Sequence, residues 1–474
     1  MKSLAVFISI AMLFGIFAGA APFFARAEGT LIGDVDKDGT VTVSDALRVL
    51  RVCAGIDACS EKEIEIYDVW QDGEIGIDDA LGVLRSSVGI IGTFGKTGVN
   101  LVFEPNAKAS EAGVTQQMLD RAILSVEGTQ RVAKVMDKAA RGENISVVAI
   151  GGSITEGYGI SVPEKRYANI VYSWWKESFP GANVSFRNSG IGGTGSMFGV
   201  HRLERDVFSY DPDLLIVEFA VNDDGDYQTG NPESYENLIR RVLVESPDTA
   251  VLILFVTGKT YVDKQYLQAP IGQAYGIPMI SYRDAILPEI EAEALTWEEM
   301  APDELHPSEK GHAVAGGLIT SYLDGVKRVF KDSSRIIPAI PGGMIYTDRY
   351  MNAEMYWAGD GLDITSSGSW KVDGYTYHDY VGSLYSSSSK RPLEFEVECK
   401  NLMIFYERTA NQSAAGTVKI QVSGGRIVYV RSYFENGWEY LTVEPVFSGE
   451  TAEKRTVKIT PTEGKFRIAA VLIA

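Results

Sequence analysis

Short apolar runs alternate with amphipathic helical stretches from about residue 118 onward. That alternation restricts this part of the chain to an open, mainly parallel sheet covered by helices. The runs cover residues 145–150, 184–187, 214–219, 251–256 and 278–281. The first three each lead into an unusual motif: Gly151-Gly152-Ser153-Ile154-Thr155, Asn188-Ser189-Gly190-Ile191-Gly192-Gly193, and Val217-Glu218-Phe219-Ala220-Val221-Asn222-Asp223. Ligands of open α/β sheets bind beyond the carboxyl ends of strands, so the three motifs are expected at one edge. A fourth, Asp303-Glu304-Leu305-His306, precedes a helix started by Pro307 and Ser308, with apolar residues at Val314, Leu318, Tyr322 and Val326.

These are the parts of an acyl-transfer machine. The Ser153 hydroxyl is a poor nucleophile until a base takes its proton, and an imidazole, ordinarily titrating near neutrality, suits that task. His306 is the candidate base, and Asp303 the carboxylate that orients it. The backbone N–H groups of Ser153 and Gly193 and the side-chain amide of Asn222 are the candidate oxyanion donors. His201 and His378 have no acid three residues before them. His312 has Glu309 there, but within one helix that spacing reads as an ordinary surface pair, so all three histidines are expected to be structural. One competing reading exists. Gly190-Ile191-Gly192-Gly193-Thr194-Gly195 spells a dinucleotide fingerprint, with Asp211 or Asp213 as the ribose acid. It leaves Ser153, Asn222, Asp303 and His306 without a task and is set aside. The nucleophile-elbow pattern G-x-S-x-G is also missing, because Thr155 holds its last position.

The four blocks, in this order, resemble the SGNH (GDSL-type) hydrolase superfamily. The resemblance implies a flavodoxin-like, three-layer α/β domain over residues 118–335 and a carboxylic ester hydrolase activity. It assigns Ser153 as nucleophile, Gly193 and Asn222 as oxyanion donors, and Asp303 and His306 as partner and base. Gly152 stands where the family carries aspartate, and Ala220 where it carries glycine.

Nearer the N-terminus, Asp34, Asp36, Asp38, Thr42 and Asp45 fall at positions 1, 3, 5, 9 and 12 of a loop with Gly39 at position 6, and Thr40 supplies a further oxygen. That oxygen set suits a hard cation such as calcium. A partial copy, with Asp68, Asp72 and Asp79, lies 34 residues on. Trp70 and Gly76 replace two of its oxygen ligands, which predicts one firm and one weak site. The same Asp-Ala-Leu-x-Val-Leu-Arg pattern follows both loops. The pair resembles a dockerin over residues 30–92. This implies structural calcium and a cohesin partner on a scaffoldin.

Other features bound the remainder. Lys2, the apolar stretch from Leu4 to Ala21 and Ala25-Arg26-Ala27 read as a signal peptide over residues 1–27, so the mature protein is expected to be secreted. No later segment is apolar and long enough to span a bilayer. The formal charge of −19 (44 basic against 63 acidic residues) argues against nucleic acid as a partner. Residues 93–117 read as a linker, with a short strand conceivable over 99–103. Residues 340–474 carry alternating runs between Gly, Asn and Ser turns, the pattern of a β-sandwich. Trp357, Trp370 and Trp438 are candidates for a sugar platform. Cys53 and Cys59 are close enough in sequence to pair, whereas Cys399 reads as a core residue. The composite expectation is an esterase that removes acetyl groups from a plant polysaccharide such as xylan or mannan. A lipase or thioesterase, or a non-catalytic glycan-binding adaptor, are the alternatives.

Overall fold

The computed structural model describes residues 30–60, 63–69, 75–87, 101–225, 229–330, 340–387, 390–435 and 440–474. The expected signal peptide, Asp72, Trp70 and Trp438 lie outside these residues. Two compact units make up the chain, residues 1–101 with 332–342, and residues 102–331 with 343–474.

The second unit begins with a six-stranded sheet of β1 (Ile123–Ser125), β2 (Ile145–Gly151), β3 (Val184–Gly190), β4 (Leu214–Glu218), β5 (Ala250–Phe255) and β6 (Met279–Ser281). The order is β1-β6-β5-β4-β2-β3, parallel throughout except for β1, which runs antiparallel to β6. Strands β4 and β5 are buried along their whole length because both faces are covered. Leu214, Ile216, Leu252 and Leu254 share one core with helices Thr129–Ala140, Tyr167–Ser178 and Glu309–Val329. The alternate residues Leu215, Val217, Val251 and Ile253 face the opposite layer and are equally buried. This is the three-layer, flavodoxin-like α/β domain, and its strand ends lie along one edge.

The expected linker over 93–117 is corrected from residue 102 onward. Asn106 and Thr115 cap helices Ala107–Glu111 and Gln116–Ala122, and Ala109, Ala112, Val114 and Met118 enter the main core. Residues 101–103 are not a strand. Cap residues followed by apolar positions on one helical face were the signal, and they make this segment a layer of the domain.

Residues beyond 343 form the strands β7 (Glu354–Trp357), β8 (Asp363–Ser366), β9 (Trp370–Tyr377), β10 (Tyr380–Ser387), β11 (Leu393–Arg408), β12 (Gly416–Val422), β13 (Val428–Arg431) and β14 (Tyr440–Ile473). All pairings are antiparallel, and register shifts in β11 from Cys399 onward curl the sheet into a β-sandwich. Alternate residues Val418, Ile420 and Val422 point into its core, which also holds Cys399. Trp370 is buried there, with its indole N–H on the carbonyl of Ile459, so it is no sugar platform. Trp357 instead packs at a tilt against Tyr380, with ring centroids 4.2 Å apart.

The β-sandwich and the α/β layers dock tightly within this unit. The Phe198 and Phe405 rings stack at 4.0 Å, and the Arg205 guanidinium lies 3.5 Å above the Tyr380 ring. The Tyr380 hydroxyl donates to Asp206 Oδ2 at 2.8 Å, and Arg187 Nη2 to Asp379 Oδ2 at 2.6 Å.

In the first unit, helices Val43–Cys53, Ile64–Tyr67 and Ile77–Ser87 enclose a small core of Val35, Ala46, Val49, Ile66, Ala80 and Val83. Cys53 and Cys59 are free thiols in this structure, the latter facing the Ser60 carbonyl, so the expected pairing is corrected.

Candidate active site

Strand β2 ends at Gly151, and helix Ser153–Glu156 starts two residues later. The turn is tight because its glycines leave no side chain in the way. A Cβ on Gly151 would lie 2.1 Å from Thr155 Oγ1, and one on Gly190 2.1 Å from the Glu156 nitrogen. The latter contact explains the glycine run after β3, which seats the Ser153 helix. Ser153 opens that helix and is 6% exposed. Its N–H, in the first turn, has no partner within the helix and is available to a ligand.

His306 comes from the loop before helix Glu309–Val329. Its Nε2 is 3.0 Å from Ser153 Oγ, and its Nδ1 is 2.9 Å from Asp303 Oδ2. Asp303 accepts the Nδ1 proton, which leaves Nε2 as the acceptor facing the serine hydroxyl. Asp303 is itself fixed: its Oδ1 accepts from the backbone N–H of Leu305 at 2.8 Å and of His306 at 2.6 Å. Burial works to raise its carboxyl, but these hydrogen bonds outweigh it and hold the group below the usual carboxylate range. The Trp297 indole donates to the Asp303 carbonyl at 2.6 Å. An imidazole so placed can take the serine proton and return it to a leaving group.

Asn222 follows β4 and lies against Gly152. A Cβ on Gly152 would stand 1.9 Å from Asn222 Oδ1 and 2.9 Å from Nδ2. Behind Asn222, the Asp223 carboxylate accepts from the Ser196 N–H at 2.7 Å and from Gln268 Nε2 at 2.9 Å. Burial pushes Asp223 up to about 7 against those bonds. Glu218, buried at the end of β4, accepts from Thr155 Oγ1 at 3.0 Å, and burial likewise pushes it up to about 7. Gly193 adopts a left-handed φ of +70°, and the site a Cβ on Gly192 would occupy is 3.6 Å from Ser153 Cβ. The structure therefore brings Ser153, His306, Asp303, Asn222 and the Gly192–Gly193 turn to one strand edge.

Sequence reasoning missed four residues beside the serine. The Glu156 carboxylate, one turn along the helix, accepts from the Gly192 N–H at 2.8 Å. Tyr158 is 60% exposed and its ring lies 4.4 Å from the His306 ring. Tyr377 and His378, at the tip of the β9–β10 hairpin, reach the Gly192 carbonyl at 3.2 Å and Glu156 Oε1 at 3.9 Å. Glu156 was legible from its place directly after the first motif; the hairpin tip carried no local signal. His312 is structural as expected, but not through a surface pair with Glu309. It is 1% exposed, takes the Tyr167 N–H on Nδ1 and is pushed by burial down to about 4, so it is a neutral core histidine. Glu309 pairs with Lys165 instead.

In the N-terminal unit, the carboxylates of Asp34, Asp36 and Asp38 bring oxygens within 4.8 Å of one another. Asp45, buried, accepts from the N–H groups of Val35 at 2.9 Å and Thr42 at 2.8 Å. Asp79 does the same for Val69 at 2.8 Å and Gly76 at 2.7 Å, so the second loop repeats the closure of the first. Burial raises the Asp34 carboxyl, and Asp38 and Asp45 add to it through like charge. A crowded set of oxygens of this kind fits a hard cation. Thr40 is turned to Asp38, its Oγ1 donating at 2.6 Å.

The GDSL-like lipase/acylhydrolase family matches residues 149–314, and the dockerin type I domain matches residues 32–85. Among solved structures, a two-domain esterase active on acetylated mannans, co-crystallised with mannopentaose, is 30% identical with a TM-score of 0.68; 75% of this chain and 97% of that one are covered. A second structure of a two-domain esterase active on acetylated mannans is 29% identical, with a TM-score of 0.69 and the same coverage. No curated protein matches this chain. With the motif order, the sheet topology and a two-domain relative matched over nearly its whole length, the chain belongs to the GDSL-like lipase/acylhydrolase family, a carboxylic ester hydrolase with a dockerin type I domain at its N-terminus.

Proposed function

We propose that this protein is a secreted serine esterase that removes acetyl groups from mannan, with acetylated xylan as a second substrate. The observation that carries the chemistry is the chain of contacts Ser153 Oγ to His306 Nε2 at 3.0 Å and His306 Nδ1 to Asp303 Oδ2 at 2.9 Å. Ser153 Oγ attacks the acetyl carbonyl carbon as His306 takes its proton. The oxyanion that forms is met by the N–H groups of Ser153 and Gly193 and by the Asn222 amide. Collapse breaks the bond to the sugar oxygen, which leaves with the proton from His306. Water, deprotonated by His306, then releases acetate from the acyl-serine.

The mannan preference rests on the likeness to the two-domain esterases, which extends over both the α/β domain and the β-sandwich. Exposed Tyr158 beside His306 supports it, since an aromatic face can take a pyranose ring. The acidic loop of Asp34, Asp36 and Asp38 would hold structural calcium, and the dockerin domain would engage a cohesin outside the cell.

The test is acetate release by the full chain from acetylated mannan and xylan, beside p-nitrophenyl esters of increasing acyl length. Fastest release from mannan, with activity falling as the acyl chain lengthens, is the expected result. A preference for long acyl chains would replace this reading with a lipase, and an active Ser153→Ala variant would remove the acyl-serine route.

A further inference from the structure

The peptide between Gly192 and Gly193 carries the N–H to which the serine mechanism assigns oxyanion stabilisation. Both residues lack a Cβ and Gly193 sits at φ +70°, so little intrinsic preference stops that peptide from turning over. A planar trans peptide points its carbonyl and its N–H in opposite directions. Whatever fixes the Gly192 carbonyl therefore also fixes the Gly193 N–H.

That carbonyl is held by the β-sandwich. The Tyr377 hydroxyl donates to Gly192 O at 3.2 Å. On the other side of the same residue, the Gly192 N–H donates to Glu156 Oε2 at 2.8 Å. Tyr377 has little freedom to leave. Its ring stacks on Trp357 at 6.4 Å and meets Phe405 edge-on at 6.1 Å. The hairpin turn that follows it is anchored by Asp379, whose carboxylate meets Arg187 at 2.6 Å and whose carbonyl accepts from Arg205 at 2.7 Å. Tyr380 completes the anchor through Asp206 at 2.8 Å. Burial raises the phenol of Tyr377, which keeps the donor proton in place.

We propose that Tyr377 of the C-terminal β-sandwich is a positioning residue for the oxyanion hole, pinning the Gly192–Gly193 peptide with its N–H turned toward the reacting carbonyl. This rests on the serine-esterase reading above. The hydroxyl-to-carbonyl contact is long for its type in the resting enzyme. As negative charge develops opposite the Gly193 N–H, polarisation of the peptide strengthens its carbonyl as an acceptor and tightens the contact. Tyr377 thus acts more strongly in the transition state than in the ground state, which raises kcat and leaves KM alone.

The experiment compares full-length wild type, Tyr377→Phe, Tyr377→Leu and Ser153→Ala with p-nitrophenyl acetate. Tyr377→Phe keeps the ring packing. It should lower kcat about tenfold, less than the roughly 10²–10³-fold that follows loss of an oxyanion donor itself, with KM unchanged. Its affinity for a boronic acid, which forms a tetrahedral adduct on the serine, should weaken by the same factor while its melting temperature stays at the wild-type value. Tyr377→Leu should lower the melting temperature as well. Wild-type kcat in Tyr377→Phe beside an inactive Ser153→Ala overturns this proposal alone. A fall in melting temperature in Tyr377→Phe equal to that in Tyr377→Leu makes the residue structural and overturns it too. An active Ser153→Ala variant overturns the serine reading together with it.

Discussion

Gly152 leaves the space that Asn222, the proposed oxyanion donor, occupies. The family's aspartate at this place would need a Cβ, and here that atom would strike the Asn222 amide at 1.9 Å. Asn222 is the softer partner and would move. Gly152→Ala is therefore expected to cut kcat by roughly 10²–10³-fold, the cost of losing an oxyanion donor. Asn222→Ala should do the same, and the double variant should be little worse than either single one, because both remove the same contact. Steady-state rates on p-nitrophenyl acetate measure this. Glu218 gives a second prediction, in stability. Its carboxyl is raised by burial from 4.5 to about 7 in the folded chain. Between those values the folded protein keeps a proton that the unfolded chain has released. The stability that Glu218 contributes is thus fully present on the acid side, is lost as pH rises to about 7, and is absent above. The swing is on the order of 3 kcal/mol for this one group. Glu218→Gln removes it, so the melting temperature of the variant relative to wild type should climb between pH 5 and pH 8. A constant difference across that range would contradict the assignment.

At the scale of elements, the short motifs after β2, β3 and β4 were readable because strand ends fix where the following residues go. Ser153, Asn222 and the turn at Gly193 needed only the alternation of strand and helix to be placed along one edge. Helix Glu309–Val329 was misjudged at His312 for the opposite reason. The helix is covered by Tyr167–Ser178, whose first residue stacks on the His312 ring, and by Ala107–Glu111, which lies within the segment that read as linker and whose Ala109 approaches at Gly317. Without that layer, His312 and Glu309 looked like a surface pair. Tyr377 was beyond reach of any local pattern, since its contact depends on how a distant hairpin docks. The two acidic loops of the dockerin domain yield a further prediction. Asp34, Asp36 and Asp38 are gathered in the first loop, whereas Trp70 and Gly76 stand at two of the oxygen positions of the second. Calorimetric titration of the full chain with calcium should resolve one tight and one weak site, and Asp34→Ala should abolish the tight one while leaving esterase kcat unchanged. Two equal tight sites would refute the unequal reading.

For the whole molecule, the docking of sandwich on α/β layers makes the larger unit behave as one cooperative body. Phe198 on Phe405, Arg205 on Tyr380 and the Arg241 guanidinium on the Ala353 carbonyl at 2.8 Å cross the junction. Scanning calorimetry should accordingly give one transition for residues 102–474, with esterase activity lost at the same temperature; two separated transitions would show the layers to be independent. The three thiols are divided between the two bodies. Cys399 is sealed within the sandwich and burial raises it to about 11, so it is a poor target for alkylation. Cys53 and Cys59 are partly open to solvent in the small dockerin body. A maleimide dye added to the native protein would therefore mark that body and leave the sandwich uncoloured, so that one reagent tells the two bodies apart.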